Sequence, residues 1–519
     1  MITDTKYMAL LPRSVRNSYR FNVFSKSAAS HQLMSLVINS QLTTSALARQ
    51  MEEAYNLAQV QRFEDFAAFA RAEGGTWHPP VVIRTSTSLS PPSEKVLERY
   101  KTEAFKVVQP YLERDMCNRS SGRTIAMDGT YPIASQCTGE GTCAMFVFGE
   151  LGHIITHGIL DSENFRDLLP LLFQLKKRLL RLGTETDLED VFMDVCCNGL
   201  TDPSRHPITC IFSRVTSGCK GDPYHKTQDL TMSTRTSHPA HAQFARDVGK
   251  CFAERHQPDL YRLARYLVKQ GMPADRAMER ASSRTYTMSV RTTVPAIPTC
   301  VKLLRQVEER YLKVDADGKT KVEDARAAGK RNVPEYRALF RERKGASPGT
   351  SEMFTNVIKH VEKGCLHTGA SLERMYNTDR EPTDEHPGLF FKAEGTGKNE
   401  SGHSRMNREI VAPVTSVGVE RAERDIALFC FRHNRLTDIN RGMCKPDLFG
   451  GQFWLEAGLQ DSWGGNIDGP CPGGNAVIPP VLAHTDKEHM GYAYHKFYKD
   501  AQRAECEEVI RIARARVAT

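Results

Sequence analysis

Apolar positions along the chain change their period near residue 117, and that change predicts where helix gives way to sheet. Over residues 43–73 ("TTSALARQMEEAYNLAQVQRFEDFAAFARAE") and again over 93–116, apolar residues recur at the three- and four-residue intervals of one helical face. A Pro- and Ser-rich stretch, "HPPVVIRTSTSLSPPS", reads as an extended link between them. Then the period shortens. "RTIAMDG", "CAMFVFG" and "HIITHGIL" are three strand-like runs, the last two joined by the turn "GELG". A helix follows, with Ser162 placed as its cap and Phe165, Leu168, Leu169, Leu172, Leu175, Leu179 and Leu182 as its apolar stripe. Lys176, Lys177, Arg178 and Arg181 are expected to face outward, and Gly183 to stop the helix. "DLEDVFMDVCC" is a fourth apolar strand with Asp194 near its end. Three antiparallel strands, a crossover helix and a further strand parallel to the first would make neighbours of Asp194 and of Asp128, at the end of the first run.

From 229 to 395 the reading is helical again. "AQFARDVGKCFAER", "PDLYRLARYLVKQG", "PTCVKLLRQVEERYLKV", "VPEYRALFRERKG" and "TSEMFTNVIKHVEKG" are amphipathic segments separated by charged or Pro/Gly breaks. "GVERAERDIALFCFRHNR" is one more helix; a Gly/Pro-rich loop over 449–480 and a terminal helix complete the chain. The domain organisation expected is a helical region over 1–116 that is a candidate for DNA binding, an α/β core over 117–228, a helical insertion over 229–395, the end of the core over 396–440, and a loop with the last helix over 441–519.

Composition narrows the partners. With 70 Lys and Arg against 62 Asp and Glu in 519 residues, the formal charge of +8 leans toward a polyanion. No run approaches a membrane span and the start carries no signal-peptide pattern, so a nuclear or otherwise intracellular, non-secreted protein with reduced thiols and no membrane partner is expected. Its 14 cysteines include no CxxC pair. His360, Cys365 and His367 lie within eight residues but lack a partner cluster, which favours a helix end at Gly364 over a zinc site. Adjacent Cys196 and Cys197 read as small buried residues beside a strand end.

Four acidic positions carry the candidate chemistry: Asp128, Asp194, Asp222 in "DPYH" with His225, and Glu400 in "GTGKNESGHSRMNREI". Carboxylates drawn together repel one another, and a divalent cation relieves the repulsion; hard oxygen ligands suit Mg²⁺ or Mn²⁺. Glu400, His403 and Asn407 fall at i, i+3 and i+7, one face of a helix. Gly129, directly after Asp128, is expected to leave room for the ion and the substrate backbone.

This order of elements resembles the RNase H-like catalytic domain of eukaryotic cut-and-paste DDE transposases, in the Mutator-like and hAT-like branch, over roughly residues 120 to 436. The resemblance implies an RNase H-like mixed α/β sheet interrupted by an all-helical insertion. It also implies Asp128, Asp194 and Glu400 as the metal-binding catalytic triad, with Asp222, His225, His403 and Asn407 as accessory residues. The implied partner is double-stranded DNA, both transposon ends and target, handled by a homo-oligomer. Two alternatives stay open: a non-catalytic DNA-binding derivative, and an RNase H-like metal-dependent nuclease. Against the exonuclease kind, Thr130 stands where that group carries a Glu.

Overall fold

The computed structural model describes residues 94–443 apart from short gaps, the longest being 137–140, 185–187, 197–205, 284–287, 379–381 and 412–417, together with 21–24, 27–30 and isolated positions toward the two ends. The helix expected over 43–73 (apart from Ala48), the 449–480 loop and most of the terminal helix lie outside the described residues. Among the described residues no helix is long and apolar enough to cross a membrane.

The described chain falls into two units. One gathers residues up to 116, 135–140 and 404–487; the other comprises 117–134, 141–403 and the residues from 488 onward. In the first, Phe21–Phe24 (β1) and Ser27–Ser30 (β2) pair as an antiparallel hairpin. Glu94–Cys117 (α1) supplies most of its long helix in this unit, where the buried guanidinium of Arg424 reaches Glu98 Oε1 at 2.7 Å.

The second unit is built on a five-stranded mixed sheet. Its strands are Thr124–Thr130 (β3), Cys143–Gly149 (β4) and Ile154–Leu160 (β5), then, after the helix Phe165–Arg181 (α2), Asp190–Phe192 (β6) and Cys219–Lys220 (β7). The spatial order is β5-β4-β3-β6-β7, with β3 antiparallel to β4, β4 antiparallel to β5, and β6 parallel to both β3 and β7. β4 and β5 are buried along their whole length, which explains why their sequences read as apolar runs and not as alternation. The stripe of α2 packs on this sheet through Leu168, Leu172, Leu175 and Leu179, all fully buried, each contributing about 1.5–3 kcal/mol.

Three local expectations are corrected. α2 begins at Phe165, and Ser162 lies outside its cap position, donating instead to Asp167 Oδ2 at 2.8 Å. Arg178 points inward and is 2% exposed, because the Glu488 carboxylate and the carbonyls of Ile155 and Arg119 satisfy its guanidinium. Gly183, with φ +72°, does end the helix.

Beyond β7 the chain enters a helical module: Pro223–Met232 (α3), His241–Cys251 (α4), Gln257–Lys269 (α5), Ala274–Ala281 (α6), Ile297–Ala327 (α7) and Thr350–Glu362 (α8). Within it Glu254–Arg255 (β8) pairs with Thr292–Thr293 (β9). A core around Phe244, Tyr311 and Phe354 holds α4, α7 and α8 together. The third correction falls here: "VPEYRALFRERKG" is not helical. The Asp315 carboxylate accepts from the backbone N–H groups of Leu339 and Phe340, at 2.8 and 2.9 Å, taking donors that a helix would need. The chain returns through Tyr376–Thr378 (β10) and Phe390–Lys392 (β11), then Gly397–Met406 (α9), a π-helical turn Asn407–Val411, and Val419–Asn440 (α10). Thr124 Oγ1 donates to the Ala393 carbonyl at 3.0 Å, docking that return against β3.

Candidate active site

Asp128 does not end its strand. It pairs with Phe146 of β4 in mid-strand, while the parallel partner β6 stays in register with β3 only from Thr124↔Asp190 to Ala126↔Phe192. Past Ala126 the β6-facing edge of β3 has no ladder partner among the described residues, and β6 has already turned off toward Asp194. Such a fork between parallel strands is where open α/β sheets hold their ligands.

α3 supplies the next groups. Asp222 is its N-cap, accepting from Tyr224 N at 2.8 Å, and Pro223 takes the first helical position, where its missing N–H costs nothing. That cap sends His225 back toward the fork. His225 Nε2 lies 3.0 Å from Asp194 Oδ1 and 3.6 Å from Glu400 Oε1. The first distance is not a hydrogen bond, because both atoms remain without a partner of acceptable geometry among the described residues. Asp128, His225 and Glu400 each offer a ligand atom within 4.8 Å of the other two.

Glu400 sits in the first turn of α9, and one turn on His403 Nδ1 approaches Asp128 Oδ2 at 3.3 Å. The His403 ring is held edge-on to Phe146 and Phe148. Ser401 and Gly402, poor helix formers, lie inside α9 nonetheless. The regular helix stops at Met406, so Asn407 opens the π turn and belongs with the first unit. Gly395, at φ +83°, approaches Asp222 so closely that a Cβ there would lie 3.1 Å from Oδ2.

The electrostatics follow from crowding. Burial first, then the charges of Asp128, Glu163 and Asp222, push the Asp194 carboxyl up to about 8, with Lys226 opposing. Glu163, unremarked in the sequence, is a fifth carboxylate near the fork. It occupies the space beside Gly129, accepts a 3.7 Å contact from the Cys143 thiol, and with burial raises Tyr131 to about 12. Gly129 is therefore required by the close approach of Glu163 and of the Cys143 thiol, and the room expected there for an ion is already filled. Asn399 was also missed: fully buried before Glu400, its amide oxygen and nitrogen both lack a hydrogen-bond partner among the described residues. Its only sequence signal was adjacency to Glu400.

No family model matches this chain, and no curated protein or solved structure matches it. The geometry therefore carries the functional argument.

Proposed function

We propose that this chain is a DDE-type polynucleotidyl transferase, cleaving double-stranded DNA at transposon ends and joining the 3′-hydroxyl to target DNA. The observation that supports it is the convergence of Asp128, Asp194 and Glu400, from β3, the segment after β6 and α9, around His225. The order β5-β4-β3-β6-β7 agrees with an RNase H-like sheet, and a formal charge of +8 agrees with a polyanionic substrate.

The residues fit a divalent cation. Burial and the charges of Asp128, Glu163 and Asp222 drive Asp194 toward its protonated form, and its buried Oδ1 has no hydrogen-bond partner among the described residues. Asp128, Asp194 and Glu400 would hold the ion with His225 Nε2 beside them, and an imidazole in the set favours Mn²⁺ over Mg²⁺. When bound, such ions polarise an attacking hydroxyl and stabilise the leaving oxygen of a phosphodiester. The chain's own part is positioning: His403 orients Asp128, and the Asp222 cap fixes His225. Joining two DNA ends implies a homo-oligomer.

The test is Mn²⁺-dependent nicking of a supercoiled plasmid, and transfer of a short duplex with a free 3′-hydroxyl into it. Asp128→Asn, Asp194→Asn and Glu400→Gln should each abolish both reactions while leaving salt-dependent DNA binding intact. Retained cleavage in any one removes that residue from the triad. DNA binding by the unaltered chain with no metal-dependent cleavage would instead identify a non-catalytic derivative.

A further inference from the structure

A second cluster of ligands lies behind the fork. Cys196, two residues after Asp194, brings its Sγ to 3.4 Å from His360 Nδ1. Cys365 completes a trio whose ligand atoms all lie within 4.8 Å of one another. Tetrahedral zinc with sulfur and nitrogen ligands requires roughly 3.6 Å between sulfur and nitrogen and roughly 3.8 Å between two sulfurs, and the 3.4 Å from Cys196 Sγ to His360 Nδ1 is close to the first of these. Here the partner that the sequence segment 360–367 lacked is supplied by a residue 164 positions away.

The surroundings are shaped for it. Gly364, at φ +71°, ends α8 and turns the chain so that Cys365 N donates to the His360 carbonyl at 3.0 Å, setting both side chains on one side. Gly221 N donates to the Cys365 carbonyl at 2.9 Å, and a Cβ on Gly221 would crowd Cys196 Sγ at 3.2 Å. His367 is turned to another task, its Nε2 2.7 Å from the Pro295 carbonyl. Both thiols are buried, and neither cysteine is in a disulfide.

We propose that Cys196, His360 and Cys365 bind one zinc ion that ties the segment after β6 to the C-terminal end of α8. Two thiolates and an imidazole are a soft set that selects zinc over the hard cations suited to the carboxylates in front of it. The ion has a positioning role: Cys196 lies two residues after Asp194, and the Cys365 carbonyl accepts from Gly221 N, directly before Asp222. It stands independently of the proposed DNA chemistry, since metal content is read without any substrate.

The experiment is metal analysis of the full chain purified under reducing conditions, followed by replacement with Co²⁺. One zinc per chain is expected, with intense sulfur-to-cobalt charge-transfer absorption on substitution. Cys196→Ser combined with Cys365→Ser should abolish both, whereas Asp128→Asn should keep both. The cobalt spectrum of the unaltered chain keeps the test decisive if the double variant fails to fold. Background zinc and no charge-transfer band in the unaltered chain, retention of zinc by a folded double variant, or a Cys196–Cys365 disulfide in the reduced preparation would each overturn the site.

Discussion

Protonation of Asp194 should control how tightly the carboxylate site takes its ion. Burial and neighbouring negative charge hold its carboxyl up to about 8, and an ion requires the ionised form. Below that value each binding event must expel about one proton, so apparent Mn²⁺ affinity should rise about tenfold per pH unit and flatten above pH ~8. Between about pH 6 and about pH 8 the ionised fraction grows from roughly one in a hundred to one in two, a gain in affinity of about fiftyfold. The assay is calorimetric titration of Mn²⁺ into chelator-treated protein, in buffers of differing ionisation enthalpy that report the protons released. Asp194→Asn should bind more weakly and release about one proton fewer per ion, with a flatter profile. The ion-free protein carries the complementary signature. A carboxyl raised on folding binds its proton more tightly in the folded state, so stability falls as pH climbs from about 4 toward about 8, and Asp194→Asn should remove that slope. Affinity that does not change with pH, or equal proton release in the variant, would refute the reasoning.

His157 and His206 are held down at about 4 by burial, His157 also by Arg178, so unfolding lets each take a proton near pH 6.5. Their stabilisation is complete above pH ~6.5 and is lost as pH falls toward about 4, roughly 3 kcal/mol each at most; urea melts of His157→Gln should show a shallower acid decline, and an unchanged one would count against it. Glu488→Gln leaves the Arg178 guanidinium buried without its counter-charge and should cost about 3–5 kcal/mol in chemical denaturation, with Arg178→Met recovering much of it. A cost under about 0.5 kcal/mol would mean that the carbonyls alone satisfy Arg178. Gly129→Ala should destabilise by about 1–3 kcal/mol through collision with Glu163 and with Cys143 Sγ, and Glu163→Ala together with Cys143→Ala in the same chain should relieve most of it; failure of that rescue would place the strain elsewhere.

The sheet was legible because β3, β4 and β5 are dense apolar runs bounded by glycines, and the α2 stripe because its leucines keep helical spacing. Asp128, Asp194, His225 and Glu400 stood out as polar residues at the ends or breaks of apolar segments, and the structure brings them together. What escaped was whatever depends on contacts distant in sequence. Helical spacing alone puts Arg178 with the solvent-facing lysines, and its burial is explained by Glu488, 310 residues on, and the carbonyls of Ile155 and Arg119. Glu163 acquires meaning through Gly129, and Cys196 through His360. "VPEYRALFRERKG" has the period of a helix, yet one carboxylate from α7 was enough to keep its backbone extended.

The hydrogen bond from Thr124 to the Ala393 carbonyl also bears on synthesis. All five strands of that sheet have been synthesised by Lys220, but Glu400 follows about 180 residues later, at about 5–20 residues per second a wait of roughly 9–36 s. During that interval β3 to β7 carry Asp128 and Asp194 with no α9 to cover them. A nascent chain halted before residue 390 would present the sheet without the site, a state in which chaperones have time to act.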